Sequence, residues 1–208
     1  MCGFVVVHNK NGLSLRDYEY KNALNKLIHR GPDFQGIYFN QKRTIFQGHN
    51  RLAILDLTKA GNQPYRDLNN KYSLVFNGQI YNHDDIRSNL RNKNTIYSSN
   101  CDTETLFIEL IRNKENALKE LSGMWSFVLW DENKNEILAA RDRFGIKPLY
   151  FYSAINGDIC FASEIKAIIN LYPEAKKPNM NVIQQYIARG WLDHNIETFF
   201  SEIYQLSP

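Results

Sequence analysis

The stretch Met1-Cys2-Gly3-Phe4-Val5-Val6-Val7-His8 places a thiol one residue behind the first methionine and directly ahead of an apolar, β-branched run. Gly3 to His8 reads as a strand, because β-branched residues in a run of this length fit a pleated, buried surface. If Met1 is removed, Cys2 becomes the N-terminal residue and carries nucleophile and base together. Its thiol can attack a carbonyl carbon, while its α-amine, with an ordinary pKa of about 7.7 to 8.0, shuttles the proton near neutral pH. A cysteine here can equally be incidental in a flexible start, so the rest of the chain has to decide.

Beyond the valine run, Tyr20, Ala23, Leu24, Leu27 and Ile28 recur at helical spacing, and Arg30-Gly31-Pro32 is a helix stop. Short strand-like pieces follow at Gly36 to Phe39, Thr44 to Gly48, Leu52 to Leu55 and Tyr72 to Phe76, with turn residues between them. One helix is expected to enter through Asn82, with Asp84 and Asp85 in its first turn. Another enters at Asp102 with Leu106, Phe107, Leu110 and Ile111 facing inward. A second strand block covers Trp125 to Asp131, Glu136 to Ala140, Leu149 to Ser153 and Asp158 to Ala162, the last two joined by an Asn156-Gly157 turn. Helices close the chain at Ser163 to Asn170 and Asn181 to Arg189. Strands in two blocks joined by hairpins, with helices beside each, predict an α+β fold of packed antiparallel sheets. Residues 1–195 are expected to form one domain, and 196–208 to begin a connection to something further, since the chain stops in what reads as mid-element.

The composition narrows the function. With 208 residues and 43% hydrophobic content the chain can bury a sizeable core. Its 25 basic and 22 acidic residues leave a formal charge of +3, scattered along the sequence, which argues against nucleic acid as a partner. No apolar run reaches bilayer length and no signal segment opens the chain, so neither a membrane nor export is expected and a cytoplasmic protein is. Cys2, Cys101 and Cys160 are odd in number and form no CxxC pair, which supports neither a disulfide framework nor zinc. The five histidines fall at no metal-ligand spacing, so no metal site is expected. No glycine-rich phosphate loop and no GxSxG elbow appears, so no nucleotide cofactor is expected within these residues.

Three features could carry chemistry. Asn77-Gly78 follows the apolar run Ser73-Leu74-Val75-Phe76 and is either a plain Asn-Gly turn or a pair of donors for one oxyanion. Arg51 is either a solvated arginine at a strand end or a fork of donors for a carboxylate. Asp102 is either a helix cap or an acceptor for a ligand ammonium. Together they would grip an amino acid by both α-groups and polarise its side-chain amide.

An ordered set of blocks spans residues 2 to about 167: Met1-Cys2-Gly3, Arg30-Gly31-Pro32-Asp33, Arg51-Leu52-Ala53-Ile54-Leu55-Asp56-Leu57, Gly61-Asn62-Gln63-Pro64, Phe76-Asn77-Gly78-Gln79-Ile80-Tyr81-Asn82, Asp102-Thr103-Glu104, Gly123 to Asp131, Arg141-Asp142-Arg143-Phe144-Gly145-Ile146-Lys147-Pro148-Leu149-Tyr150, and Phe161 to Ala167. This set resembles the class II glutamine amidotransferase domain of glutamine-dependent asparagine synthetases. The resemblance implies an N-terminal nucleophile hydrolase fold, a four-layer αββα sandwich of two antiparallel sheets. It implies hydrolysis of the side-chain amide of L-glutamine through a γ-glutamyl thioester on Cys2, giving glutamate and ammonia for transfer to an activated aspartate. Asn77 and Gly78 would form the oxyanion hole, Arg51 would hold the α-carboxylate and Asp102 the α-ammonium. Leu52, Ala53, Ile54 and Leu55 would line the pocket with backbone groups. A C-terminal synthetase domain of the same protein, absent from these residues, would bind ATP, magnesium and aspartate; a homo-oligomer is left open.

Two positions depart from the family pattern. Gln79 stands where the family usually carries a glutamate that helps to hold the substrate ammonium, and Cys101 where it often carries serine. Two other expectations stay in view: a paralogous amidotransferase that amidates another carboxylate, such as one on a sugar or peptide precursor, and a catalytically impaired domain kept for structure, which Gln79 would mark. The Gly123 to Asp131 and Arg141 to Leu149 blocks are expected to be scaffold.

Overall fold

In the computed structural model, which describes residues 1–91, 95–192 and 194–208 and the backbone alone of Leu90 and Arg91, the valine run is strand β1 (Gly3–His8), buried along its whole length. It lies between β3 (Ile45–Arg51) and β9 (Ile159–Ala162) at the centre of a six-stranded sheet. Outside β3 comes β2 (Phe34–Phe39), and outside β9 come β8 (Tyr150–Ser153) and β10 (Ile203–Gln205). The second sheet runs β4 (Tyr65–Arg66), β5 (Tyr72–Ile80), β6 (Gly123–Asp131) and β7 (Glu136–Arg141), and every described pairing in both sheets is antiparallel.

Alternation along the strands builds three apolar layers. Val5, Val7 and Phe46 turn outward against Tyr20, Ala23 and Leu24 of α1 (Asp17–Asn25) and Ala167 and Ile168 of α4 (Ile165–Leu171). Phe4, Val6 and Ile45 turn the other way and meet Val75, Val128 and Trp130 between the sheets. On the far side of the second sheet, Leu74, Phe76, Phe127 and Leu129 pack on Ile86 of α2 (His83–Arg91) and on Leu106, Phe107 and Leu110 of α3 (Asp102–Asn113). Helix, sheet, sheet, helix is the four-layer order expected from the sequence. Each large side chain so buried contributes about 1.5–3 kcal/mol. A last helix, α5 (Met180–Arg189), is capped by the Asn179 side chain.

Several local expectations change. Leu52 to Leu55 is loop, because β1 ends at Gly3 opposite Asn50 and β2 begins at Phe34 opposite Arg51, so no strand remains to pair past Arg51. Ile54 is accordingly 70% exposed. Asn77-Gly78 is neither a turn nor a strand end: β6 continues opposite it to Gly123, and β5 runs on to Ile80. The first helix stops at Asn25; Leu27 is buried in the turn that follows, but Ile28, which opens a short 3-10 segment, is 48% exposed, facing solvent. Ser163 lies ahead of α4, its hydroxyl accepting the Phe4 N–H at 3.0 Å. Residues 203–205 pair with β8, so part of the expected connection lies within the first sheet.

His49 on β3 is fully buried between the sheets and donates from Nε2 to the Phe76 carbonyl at 3.0 Å. Burial first, then Arg51, pushes its pKa from 6.5 down to about 4, against the pull of the Phe76 carbonyl. An unfolded chain takes up this proton below about pH 6.5 and the folded chain only near pH 4. Stability is thus full above pH 6.5 and falls between those values, by on the order of 3 kcal/mol. Urea unfolding from pH 7 to pH 4 should show this slope, and His49→Gln should flatten it.

Candidate active site

Cys2 emerges where β1 ends and the loop after β3 turns away. The Leu52 N–H points at Cys2 Sγ from 3.4 Å, and the thiol donates to the Leu52 carbonyl at 3.7 Å. Arg30 clamps the other side, donating to the Cys2 carbonyl at 2.8 Å and to Glu164 Oε1 at 2.8 Å. Burial pushes the thiol pKa up, as does Asp102, while the Leu52 bond, the N-terminal ammonium and Arg51 pull it down.

Arg51, the last residue of β3, is buried and donates to the carbonyls of Thr58 (2.7 Å) and Asp56 and to Asn62 Oδ1 (2.9 Å). All three acceptors are neutral, so a fixed fork keeps its charge for an incoming anion. Gly61 makes this possible, since a Cβ there would sit 2.9 Å from the Arg51 Cζ.

From the second sheet, strand alternation puts Asn77 on the face of β5 that Val75 presents to the first sheet. Asn77 is 1% exposed and its Nδ2 has no hydrogen-bond partner. An unpaired buried donor costs about 1–3 kcal/mol, and a group kept in that state is a candidate for function. Gly78 beside it lets β5 approach β6 closely: a Cβ would meet the Met124 carbonyl and lie 2.6 Å from Trp125 Cα. Gly78→Ala should therefore cost about 1–3 kcal/mol, read as a lower urea midpoint, by forcing the strands apart.

Asp102 is the first residue of α3, not its cap, which is Cys101. Its carboxylate reaches back to the Ile80 N–H at 3.0 Å, and burial foremost raises its pKa. Arg87 holds the preceding loop in place, donating to the carbonyls of Ser99 (2.8 Å) and Cys101 (2.7 Å). Cys101 is buried, its thiol 3.3 Å from Thr103 Oγ1 and 3.6 Å from Asp102 Oδ1.

One cavity of about 140 Å³ collects these groups: Cys2, Arg51, Leu52, Asn77, Gly78 and Asp102 line it, and Ile54, Leu55 and Gln79 complete the set expected from sequence. Ala53 is the exception, outside the lining, because its N–H is held at 2.8 Å by the Asp33 carboxylate on the exposed side of the loop. Gln63, Thr103 and Lys147 are among the lining residues that were not expected from sequence. Gln63 accepts the Phe76 N–H at 2.6 Å, Thr103 meets Gln63 at 3.4 Å, and Lys147 reaches in from a block expected to be scaffold. Only the Lys147 charge within an otherwise apolar-flanked turn could have marked it beforehand. Among the described residues no group of three or more His, Cys, Asp or Glu side chains is arranged to hold a metal ion, and no helix is long and apolar enough to cross a membrane.

Comparison with known proteins bears on the family and the fold. The chain is 38% identical over 191 residues to asparagine synthetase [glutamine-hydrolyzing] 1 of Bacillus subtilis, covering 90% of this chain and 29% of that protein. It is 36% identical over 206 residues to a probable asparagine synthetase [glutamine-hydrolyzing] of Acanthamoeba polyphaga mimivirus, covering 96% of this chain and 36% of that protein. The chain thus spans about a third of the length of these relatives. The solved structure of glutamine phosphoribosylpyrophosphate amidotransferase from B. subtilis, in complex with ADP and GMP, superposes with a TM-score of 0.69 at 23% identity. The match covers 82% of this chain and 43% of that one, a likeness of fold. The family profile described as "Glutamine amidotransferase domain" matches residues 1–208, and with the antiparallel sandwich and the Cys2 cavity in place the chain belongs to the glutamine amidotransferase domain family.

Proposed function

We propose that this chain, with Met1 removed, hydrolyses the side-chain amide of L-glutamine and delivers the ammonia to an attached synthetase half. The observation that carries the reading is the unpartnered Asn77 Nδ2 lining the same cavity as Cys2 Sγ. Arg51 takes the substrate α-carboxylate and Asp102 the α-ammonium. Cys2 Sγ attacks the amide carbon and its proton passes to the α-amine. Asn77 Nδ2 and the Gly78 N–H hold the oxyanion as the C–N bond breaks, and the amine returns the proton to the leaving nitrogen, freeing ammonia. Water then cleaves the thioester, releasing glutamate and restoring the thiol. With Met1 attached the same nitrogen is in a peptide bond and cannot accept a proton.

On this reading the ammonia amidates an aspartate activated by ATP and magnesium in a C-terminal half, within the cytoplasm. A second reading has one observation in its favour: a protein named amidase chyE, of Penicillium rubens, and not named an asparagine synthetase, is also 38% identical over 194 residues, covering 91% of this chain and 27% of that protein. Similarity in this domain therefore does not choose between aspartate and another carboxylate. The test is release of glutamate and ammonia in equal amounts from L-glutamine by protein whose intact mass shows Met1 gone. No release by such protein overturns the reading.

Gln79 supplies a graded prediction. A carboxylate at this place would accept the substrate ammonium by a charge-assisted bond, about twice as strong as the neutral bond an amide offers. Gln79→Glu should thus lower the KM for glutamine by roughly fivefold, about 1 kcal/mol, with kcat little changed.

A further inference from the structure

Lys147 is not used by the chemistry above, yet its side chain lines the Cys2 cavity while only 5% of the residue is exposed. The turn between β7 and β8 delivers it there. The Asp142 carboxylate gathers the N–H groups of Phe144 (3.1 Å), Ile146 (2.9 Å) and Lys147 (3.0 Å), and that of Trp125 on β6 (3.1 Å). Nζ then points at Met1, 3.0 Å from its Sδ, and Lys147 takes part in none of the ion pairs among the described residues. A thioether is a weak acceptor. An ammonium buried against it, in a site that opens when Met1 leaves, is arranged for what replaces Met1.

We propose that Lys147 is a positioning residue for the nucleophile: once Met1 is gone, its ammonium stands beside the Cys2 amine–thiol pair and holds that pair with one proton fewer at neutral pH. The kinetic part rests on the glutaminase reading. Other charged and titratable groups border Cys2 or the same cavity: Arg30 from the turn after α1, Arg51 from the end of β3, Asp56 from the loop beyond it, its carboxylate taken by Thr58 and Asn100, and Asp102 and the Cys101 thiol from the start of α3. Arg30 is matched by Glu164 at 2.8 Å. Arg51 and Asp102 are matched by the two ends of the substrate. Lys147 remains the cation that substrate does not neutralise. Amine and thiol titrate as a coupled pair, and loss of the first proton takes the pair from +1 to neutral whichever atom gives it up, so a neighbouring cation favours that loss in either case. Burial and Arg30 lower the Lys147 pKa, while Asp142 and Cys2 hold it up.

The experiment is the pH profile of kcat/KM for glutamine in parent, Lys147→Met and Lys147→Arg, with Met1 removal confirmed by intact mass. The acid limb should move up by about one unit in Lys147→Met, making the variant about tenfold slower below the limb and equal to the parent above it, and should stay in place in Lys147→Arg. In a Cys2→Ala background, trace acetylation of the α-amine across pH should show the same upward move on adding Lys147→Met. This second reading needs no glutamine, so it stands even if the protein proves to have no glutaminase activity. Unmoved limb and unmoved amine titration in a folded Lys147→Met protein, with any loss uniform across pH, overturn the proposal and leave Lys147 a packing residue.

Discussion

Cys2→Ala is expected to remove glutamate release from glutamine, by about 10⁴-fold or more, as loss of the nucleophile does where a covalent intermediate is formed. The fold should survive. The thiol makes one bond at 3.7 Å to the Leu52 carbonyl and receives one at 3.4 Å from its N–H, both weak sulfur contacts at the rim of a cavity. Its loss leaves β1 intact, because β1 begins at Gly3 and is held by β3 and β9. A melting temperature near the parent's, with no glutamate formed, separates a chemical defect from a folding one. Retained hydrolysis in Cys2→Ala would assign the reaction elsewhere.

Asn77→Ala is expected to lower kcat by about 10²–10³ with KM nearly unchanged, the loss typical of one oxyanion-hole donor. The split follows from when the bond forms: Nδ2 has no partner in the resting protein, and gains one as charge develops on the amide oxygen. A donor that acts only in the transition state alters kcat and not binding. Stability gives an independent check. Deleting an unpaired buried donor removes a penalty of about 1–3 kcal/mol, which offsets the packing lost with the side chain. The urea midpoint should therefore move little. A large KM rise with kcat preserved would instead make Asn77 a binding group for the ground state.

How much of this was legible in the sequence depended on whether a signal was local. The valine run, Tyr20, Ala23 and Leu24 of α1, the apolar face of α3 and the Asn156-Gly157 hairpin carry their own periodicity or turn chemistry and stand where expected. Asn77-Gly78 and Leu52 to Leu55 do not. An Asn-Gly pair signals a turn, but β6 opposite it continues, and pairing overrides the turn; an apolar run signals a strand, but at Leu52 to Leu55 the partners have ended. Cys2 was marked by its position, and most of the residues that line the cavity with it by resemblance. Lys147 and Arg87 were not: each reaches its place through the packing of a distant element, Lys147 by a turn gathered on Asp142 and Arg87 across from α2 to the loop before α3. Ala53 shows the reverse case, a residue inside a matching block whose N–H is taken by Asp33 and which stands outside the cavity lining.

The central claim is that glutamine is cleaved through a covalent bond to Cys2. Protein with Met1 removed, mixed with L-glutamine and quenched in acid within the first turnovers, should carry one added glutamyl group, located by peptide mass spectrometry on the N-terminal Cys2 peptide and released by hydroxylamine. An adduct on Cys101 or Cys160, or glutamate formed with no adduct at any quench time while Cys2→Ala keeps the parent rate, contradicts the account.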